Sequence, residues 1–238
     1  VGARGGIGEA FVDAMARSGS FTRIIALTTD PGWAAAAATH ECVTRMQADL
    51  LDVASLESVA ALLGDAEEPT RFVMNCSGIL HRGALRPERT WRELELEQMR
   101  KVFDLNTLGV ALLIKHMIPV MPRKGRSIFA SLSARVGSIG DNRLGGWYSY
   151  RASKAAQNQI IKTAAIEAAR RYPDLVLTAL HPGTVDSELS SPFTKRLPAT
   201  HKVFTPTYSC ERLQSVLSNL EPSHSGGHFA WDGAAIPW

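Results

Sequence analysis

Val1-Gly2-Ala3-Arg4-Gly5-Gly6-Ile7-Gly8 opens the chain. Gly2, Gly6 and Gly8 stand in G-x-x-x-G-x-G spacing, and a helical stretch follows with Ala10, Phe11, Ala14 and Met15 as its apolar face. Glycines let a backbone approach closely, and the free N–H groups and positive dipole of a helix start suit a pyrophosphate. This is a variant of the dinucleotide-binding fingerprint, which requires a strand before the glycines. That first strand is missing from the sequence, and there is no initiator Met. The expectation is a fragment or a damaged protein, aggregation-prone alone because its sheet lacks a central member.

Outward from this loop, apolar strands and helical segments alternate. Arg23–Leu27, a weaker Val43–Ala48, Arg71–Met74, Ser127–Leu132, Leu175–Leu180 and His228–Trp231 read as strands. Between them lie an Ala-rich helix through Ala34–Ala38, a helix over Ser55–Leu63 with Ser55 as N-cap, a long one from Trp91 to Met121, and Thr207–Leu220. Residues 187–205 have no period and read as a loop or lid. The alternation predicts an α/β fold, a Rossmann-type doubly wound parallel sheet. With 238 residues, no repeat and no linker, residues 1–238 are expected to form a single, N-terminally incomplete domain.

The strand over Ser127–Leu132 feeds a polar loop, Ser133-Ala134-Arg135-Val136-Gly137-Ser138-Ile139-Gly140. A further helix begins near Tyr148-Ser149-Tyr150-Arg151-Ala152-Ser153-Lys154, with Ala152, Ala155, Ala156, Ile160, Ile161, Ala164, Ala165 and Ala168 at helical spacing. On a helix the four-residue spacing puts the Tyr150 phenol and the Lys154 ammonium on one face. A free phenol ionises near about 10, too high for acid–base work at neutral pH, and a cation within about 4–6 Å lowers that value. Tyr-x-x-x-Lys is therefore a way to build a tyrosine general acid, although alone it also describes a surface pair. A hydroxyl from the preceding loop would hold the reacting oxygen.

Composition narrows the classes. A net charge of +3 implies no polyanion, and Arg123-Lys124-Gly125-Arg126 reads as a solvated turn, so no nucleic-acid partner is expected. No apolar run approaches the ~20 residues of a membrane span, so no membrane partner is expected either. Cys42, Cys76 and Cys210 are odd in number and widely spaced, which fits a reducing, cytoplasmic compartment. The histidines show no ligand spacing, and no metal is expected.

In order along the chain stand Gly2-x-x-x-Gly6-Ile7-Gly8, Asp49, Asn75-Cys76-Ser77-Gly78, Asn106, the serine loop, Tyr150-x-x-x-Lys154 and Pro182-Gly183-Thr184-Val185. Together they resemble the short-chain dehydrogenase/reductase family over essentially the whole length. Ser133–Arg143 and Gly145–Arg151 resemble its C-factor branch, which is similar to sniffer-type carbonyl reductases. The resemblance implies an NAD(P)-dependent oxidoreductase working between a small carbonyl and its alcohol, as a possible homodimer or homotetramer. It implies that Tyr150 protonates the carbonyl oxygen and that Lys154 lowers the phenol's pKa and holds the nicotinamide ribose. Ser133 would hydrogen-bond the substrate oxygen, and Asn106 would support a water leading from Lys154 to solvent. Gly2, Arg4, Gly6, Ile7 and Gly8 would hold the phosphates, Asp49 and Leu50 the adenine, Asn75, Ser77 and Gly78 the ribose, and Pro182, Gly183, Thr184 and Val185 the carboxamide.

Two departures carry consequences. Counting back from Gly137, the family's serine position is Ala134; counting forward from the strand it is Ser133, which is preferred, with Ser131 and Ser138 as lesser options. The second strand ends in Thr28-Thr29, where NAD-preferring members carry an acid, so NADP(H) is favoured over NAD(H), with Arg4 reaching for the 2′-phosphate. The alternative, from the C-factor resemblance, is a nucleotide-binding signalling protein with little or no turnover.

Overall fold

The computed structural model describes residues 1–194, 198 and 201–238. α1 (Gly6–Ser18) rises directly from the glycine loop and stops at Gly19, whose φ of 64° lies in the left-handed region. β1 (Ile24–Thr28) is followed by α2 (Pro31–Ala35), capped by Asp30, and by β2 (Val43–Gln47). α2 ends before the expected Ala38 because it buries no residue. Alanine propensity alone does not hold so short a helix. α3 (Val53–Gly64) is capped by Asp52, not Ser55: the Asp52 carboxylate accepts from Ala54 N–H, and the Ser55 hydroxyl accepts from Asp49 N–H.

β3 (Phe72–Asn75) leads into the region expected as one long helix. It is broken instead. A 3₁₀ turn at Trp91–Glu93 ends in extended Leu94 and Glu95, and only then do α4 (Leu96–Phe103), a π turn (Asp104–Leu108) and α5 (Gly109–Met117) run on together. By length and composition Leu96–Val120 could cross a membrane, but 44% of its apolar window is buried inside the fold. There it packs against α3 and against α6 (Tyr148–Ala168), which follows β4 (Ser127–Leu132).

β5 (Leu175–His181) and β6 (Thr184–Val185) come next. Within 187–205, expected as loop, lie α7 (Ser191–Thr194) and β7 (Val203–Phe204), which pairs in parallel with β6. Residues 195–197, 199 and 200 of that lid lie outside the described residues. α8 (Pro206–Asn219) and β8 (Gly227–Ala230) close the chain.

The strands form a parallel sheet of order β3–β4–β5–β8 and a parallel pair β1–β2. Val1–Ala3 lie between the two: Val1 bonds to Met74 and Cys76, and Ala3 N–H donates to the Leu27 carbonyl at 2.9 Å. Alternation along β4 sends Phe129 to one face and Ile128, Ala130 and Leu132 to the other. The Phe129 face packs against Leu56, Leu113 and Ile161, and the opposite face against Phe11 and Leu213. Helices thus cover both faces, as the sequence leads one to expect of a doubly wound fold. The carboxyl ends of β3, β4 and β5 converge, where such folds place their ligands.

Candidate active site

Tyr150 and Lys154 sit on the first turns of α6, and the chain takes unusual steps to set that helix start. Gly145 and Gly146 have positive φ, and so does Trp147, at 51°, the single such non-glycine among the described residues. Trp147 offers no side-chain cap. Glu88, buried in a distant loop, supplies it: its carboxylate accepts from the Ser149 N–H at 3.1 Å and from the Ser149 hydroxyl. At the other side, Gly137 lets the serine loop lie on α6, since a Cβ there would be 2.8 Å from the Lys154 Cβ.

Tyr150 is 8% exposed, and burial pushes its phenol up to about 12. The expected lowering by Lys154 is not found in this arrangement. The ammonium stands 5.9 Å from the centre of the phenol ring and donates instead to the Leu132 carbonyl at 2.9 Å and the Gln157 side chain at 2.8 Å. Lys154 is itself buried, which pulls it down to about 7. The consequence is a phenol that keeps its proton at neutral pH, beside an ammonium poised near its own midpoint.

Asn106 is fully buried in the π turn. Its amide pairs with the backbone N–H and carbonyl of Ile79, each at 2.8 Å, and donates to Ser153 at 3.2 Å. Gly78 faces both groups: a Cβ there would lie 3.5 Å from the Asn106 amide oxygen and 3.6 Å from the Lys154 ammonium. Asn75 donates to Ser131 at 2.9 Å and accepts from Ser77 through both its N–H and its hydroxyl.

The three serines are all buried, and their hydroxyls are engaged. Ser131 accepts from Asn75 and Gln157, and Ser138 accepts from the Asp141 N–H. Ser133 donates to Asn158 at 2.6 Å, in a row that continues to His228.

The glycine loop is built for close approach. Gly2 has φ of 71°, and a Cβ on it would lie 2.8 Å from the Ser77 nitrogen; a Cβ on Gly8 would collide with the Gly2 carbonyl oxygen. Gly5 precedes α1 without a side-chain cap, so the N–H groups of Gly6, Ile7 and Gly8 are left for an anion. A pyrophosphate fits this cradle. Arg4 makes an exposed ion pair with Asp30 at 3.2 Å, at the end of β1. Asp49 closes its own turn onto Leu51 N–H. Leu50 is buried in the core, and a Cβ on Gly109 would come within 3.0 Å of it. The Pro182 carbonyl accepts from Ser209 at 2.8 Å, Thr184 meets His201 at 2.8 Å, Val185 is buried, and Gly183 has φ of 81° with Phe204 against it.

Sequence reading missed Glu88, Trp147, Gln157 and Asn158. Gln157 and Asn158 carried a signal: both are polar and stand three and four residues after Lys154, the helical spacing that places them on its face. The buried face of α6 is in fact polar over its first three turns, with Ser149, Ser153, Gln157 and Asn158 inside and Ala152 exposed.

A short chain dehydrogenase family model matches residues 1–197. The chain belongs to the short-chain dehydrogenase family. It is an NAD(P)-dependent oxidoreductase of the carbonyl/alcohol type, and the signalling alternative without turnover is not favoured. It is 30% identical to the 1-hydroxy-2-glutathionyl-2-methyl-3-butene dehydrogenase of Rhodococcus sp. over 194 residues, 80% of this chain and 78% of that one. It is also 30% identical to the C-signal of Myxococcus xanthus over 146 residues, 61% of this chain and 82% of that one. The NADPH-bound carbonyl reductase from chicken fatty liver superposes with a TM-score of 0.84 at 25% identity, covering 100% of this dehydrogenase and 96% of that chain.

Proposed function

We propose that this dehydrogenase uses NADPH to reduce small, largely apolar carbonyl compounds, with Tyr150 delivering the proton to the carbonyl oxygen. The observation that carries this is Tyr150 itself: a buried phenol whose hydroxyl has no hydrogen-bond partner among the described residues, one helical turn from a buried ammonium. NADPH, when bound, supplies the hydride. The chain's own residues do the rest. Tyr150 gives a proton to the oxygen as negative charge develops there, and Lys154, turning from Leu132 and Gln157, brings positive charge and ribose contacts beside it. Asn106, by pinning Ile79, fixes the wall opposite Lys154 and marks where a water leading to solvent would stand. Ser133 gives the oxygen a second donor by exchanging its bond to Asn158 for one to the substrate.

Gly2, Gly6, Ile7 and Gly8 would cradle the pyrophosphate, Asp49 and the Leu50 backbone would flank the adenine, Asn75, Ser77 and Gly78 would meet the ribose, and Pro182–Val185 would meet the carboxamide. Preference for NADPH rests on Arg4. Its ion pair with Asp30 is exposed and worth at most about 1 kcal/mol, so a 2′-phosphate displaces it at little cost. The NADPH-bound chicken reductase is in keeping with this choice. The apolar substrate follows from the wall beside the phenol. Trp147 meets Tyr150 edge-on at 6.2 Å and Phe193 at 5.0 Å, and Phe193 meets His81 at 5.6 Å. A homodimer or homotetramer is part of the proposal, since Leu96 at the start of α4 and Leu108 at the end of the π turn are exposed.

The test is NADPH consumption with a panel of aldehydes and ketones, with titration of both cofactors. Aryl ketones and aldehydes should exceed charged carbonyls such as keto acids, and NADPH should bind more tightly than NADH. Thr29→Asp, at an exposed position next in sequence to Asp30, the ion-pair partner of Arg4, should reverse that order by repelling the phosphate. Equal cofactor affinities would overturn the Arg4 assignment.

A further inference from the structure

We infer that Gln157 is a positioning residue for Lys154: its amide holds the ammonium in the ligand-free enzyme and ties it to the end of β3, where Asn75 and Ser77 stand. The inference rests on the reading of Lys154 as half of the catalytic pair.

Gln157 is fully buried and makes hydrogen bonds at both ends of its amide. Its oxygen accepts from Lys154 at 2.8 Å, and its nitrogen donates to Ser131 at 3.0 Å and to the Leu132 carbonyl at 3.1 Å. The amide's orientation is fixed by chemistry. An ammonium can only donate and a backbone carbonyl can only accept, so the oxygen must face Lys154 and the nitrogen Leu132. From Ser131 the row passes to Asn75 at 2.9 Å and from Asn75 to Ser77. One continuous hydrogen-bonded row therefore joins the ribose-facing end of β3 to the catalytic lysine.

Packing does not call for a polar side chain here. A leucine would fill the same helix face, and a buried amide is tolerated only because its partners are present. What the amide does is specific to its neighbour. Among the described residues Lys154 has no carboxylate partner, and two neutral oxygens, of Leu132 and Gln157, hold its charge. Bonds to the charged form favour that form. Gln157 thus opposes the burial that draws Lys154 down to about 7. The titratable group facing Lys154 on its own helix is Tyr150, and from β8 it is His228, whose protonated form the ammonium disfavours. Arg135, in the loop packed on α6, acts on His228 and His181.

The test is an NMR titration of lysine-labelled, ligand-free protein, following the Lys154 ¹³Cε signal, which Lys154→Arg identifies. Gln157→Leu removes the acceptor and should lower the Lys154 midpoint by about one pH unit, the size of one hydrogen bond to a charged group. Gln157→Glu replaces it with a carboxylate of the same shape and should raise the midpoint by at least as much. The high-pH limb of NADPH binding should move in the same two directions. An unmoved Lys154 midpoint in both variants overturns the inference, as does a loss of thermal stability with no change in titration. If the leucine variant does not fold, the glutamate variant decides alone. Wild-type protein that binds no NADPH at any pH would sink the catalytic reading, while the ligand-free titration would still answer for Gln157.

Discussion

A phenol held up to about 12 by burial is a proton donor throughout the neutral range and a poor base until something lowers it. Tyr150→Phe removes that proton and little else, because the ring remains to pack against Trp147. The expected result is a fall in kcat of at least about 100-fold with NADPH affinity almost unchanged. Near-normal turnover by the variant would remove Tyr150 from the chemistry and turn attention to Tyr148. The serines divide in the same way. Ser138 spends its oxygen on the Asp141 turn, so Ser138→Ala should act on the loop's stability and not on turnover per folded molecule. Ser133→Ala should lower kcat, because Ser133 is the serine of the three whose proton is placed to be exchanged. A loss confined to Ser138→Ala would show that the loop's register has been read wrongly.

The π turn and the loop at Gly137 both pack on helix α6, and Asn106 joins the π turn to α6 through Ser153 and to the backbone of Ile79. Its amide satisfies both backbone groups of Ile79, so Asn106→Ala leaves a buried N–H and a buried carbonyl without partners. Each such group costs about 1–3 kcal/mol, so urea unfolding should show a loss of roughly 2–6 kcal/mol. A smaller loss would mean that water replaces the amide. This joint also shows what could be read in advance. Ser127–Leu132 was legible to the residue because a fully buried strand reads as a short, mostly apolar run bounded by turns, here interrupted only by the small Ser131. The order of motifs singled out Asn106 and Lys154, and the structure buries both beside Gly78. The break at Leu94 and the cap at Asp52 were not, since Asp, Ser and Glu near a helix start compete as caps and tertiary packing decides among them. The β6–β7 pair was invisible because two residues have no period. The alanine spacing pointed to the helix but not to its polar buried face, because Ser149, Ser153, Gln157 and Asn158 are interleaved with the alanines.

Buried ionisable groups on different elements combine to shape the stability of the whole molecule against pH. His181 and His228, on neighbouring strands, are held down to about 3 and about 4, by burial first and by Arg135 next. Each has a ring nitrogen without a partner among the described residues, and Trp238 stacks on His228. In the folded protein they stay neutral, whereas unfolded imidazoles take a proton below about 6.5. The unfolded chain then binds more protons, so stability rises with pH from about 4 to 6.5. Lys154 extends the rise. Depressed from 10.5 to about 7, it makes the unfolded chain the better proton binder across that interval as well. Opposition comes from Cys76 and Cys210, raised from 9.0 to about 11 and about 12, and from Tyr150, raised from 10.0 to about 12. These groups keep protons that the unfolded chain has already lost, so stability falls as pH climbs through their unfolded values. The two trends cross near pH 9, and ligand-free protein should be most stable at about that pH, above the usual range of about 5–8. Urea unfolding across pH 4–10 reads the curve directly. Lys154→Met should flatten it between pH 7 and 9, and His181→Asn with His228→Asn should flatten it below pH 6.5. A wild-type maximum at or below pH 7 would mean that Lys154 remains fully charged inside the fold, and that its two neutral oxygens outweigh its burial.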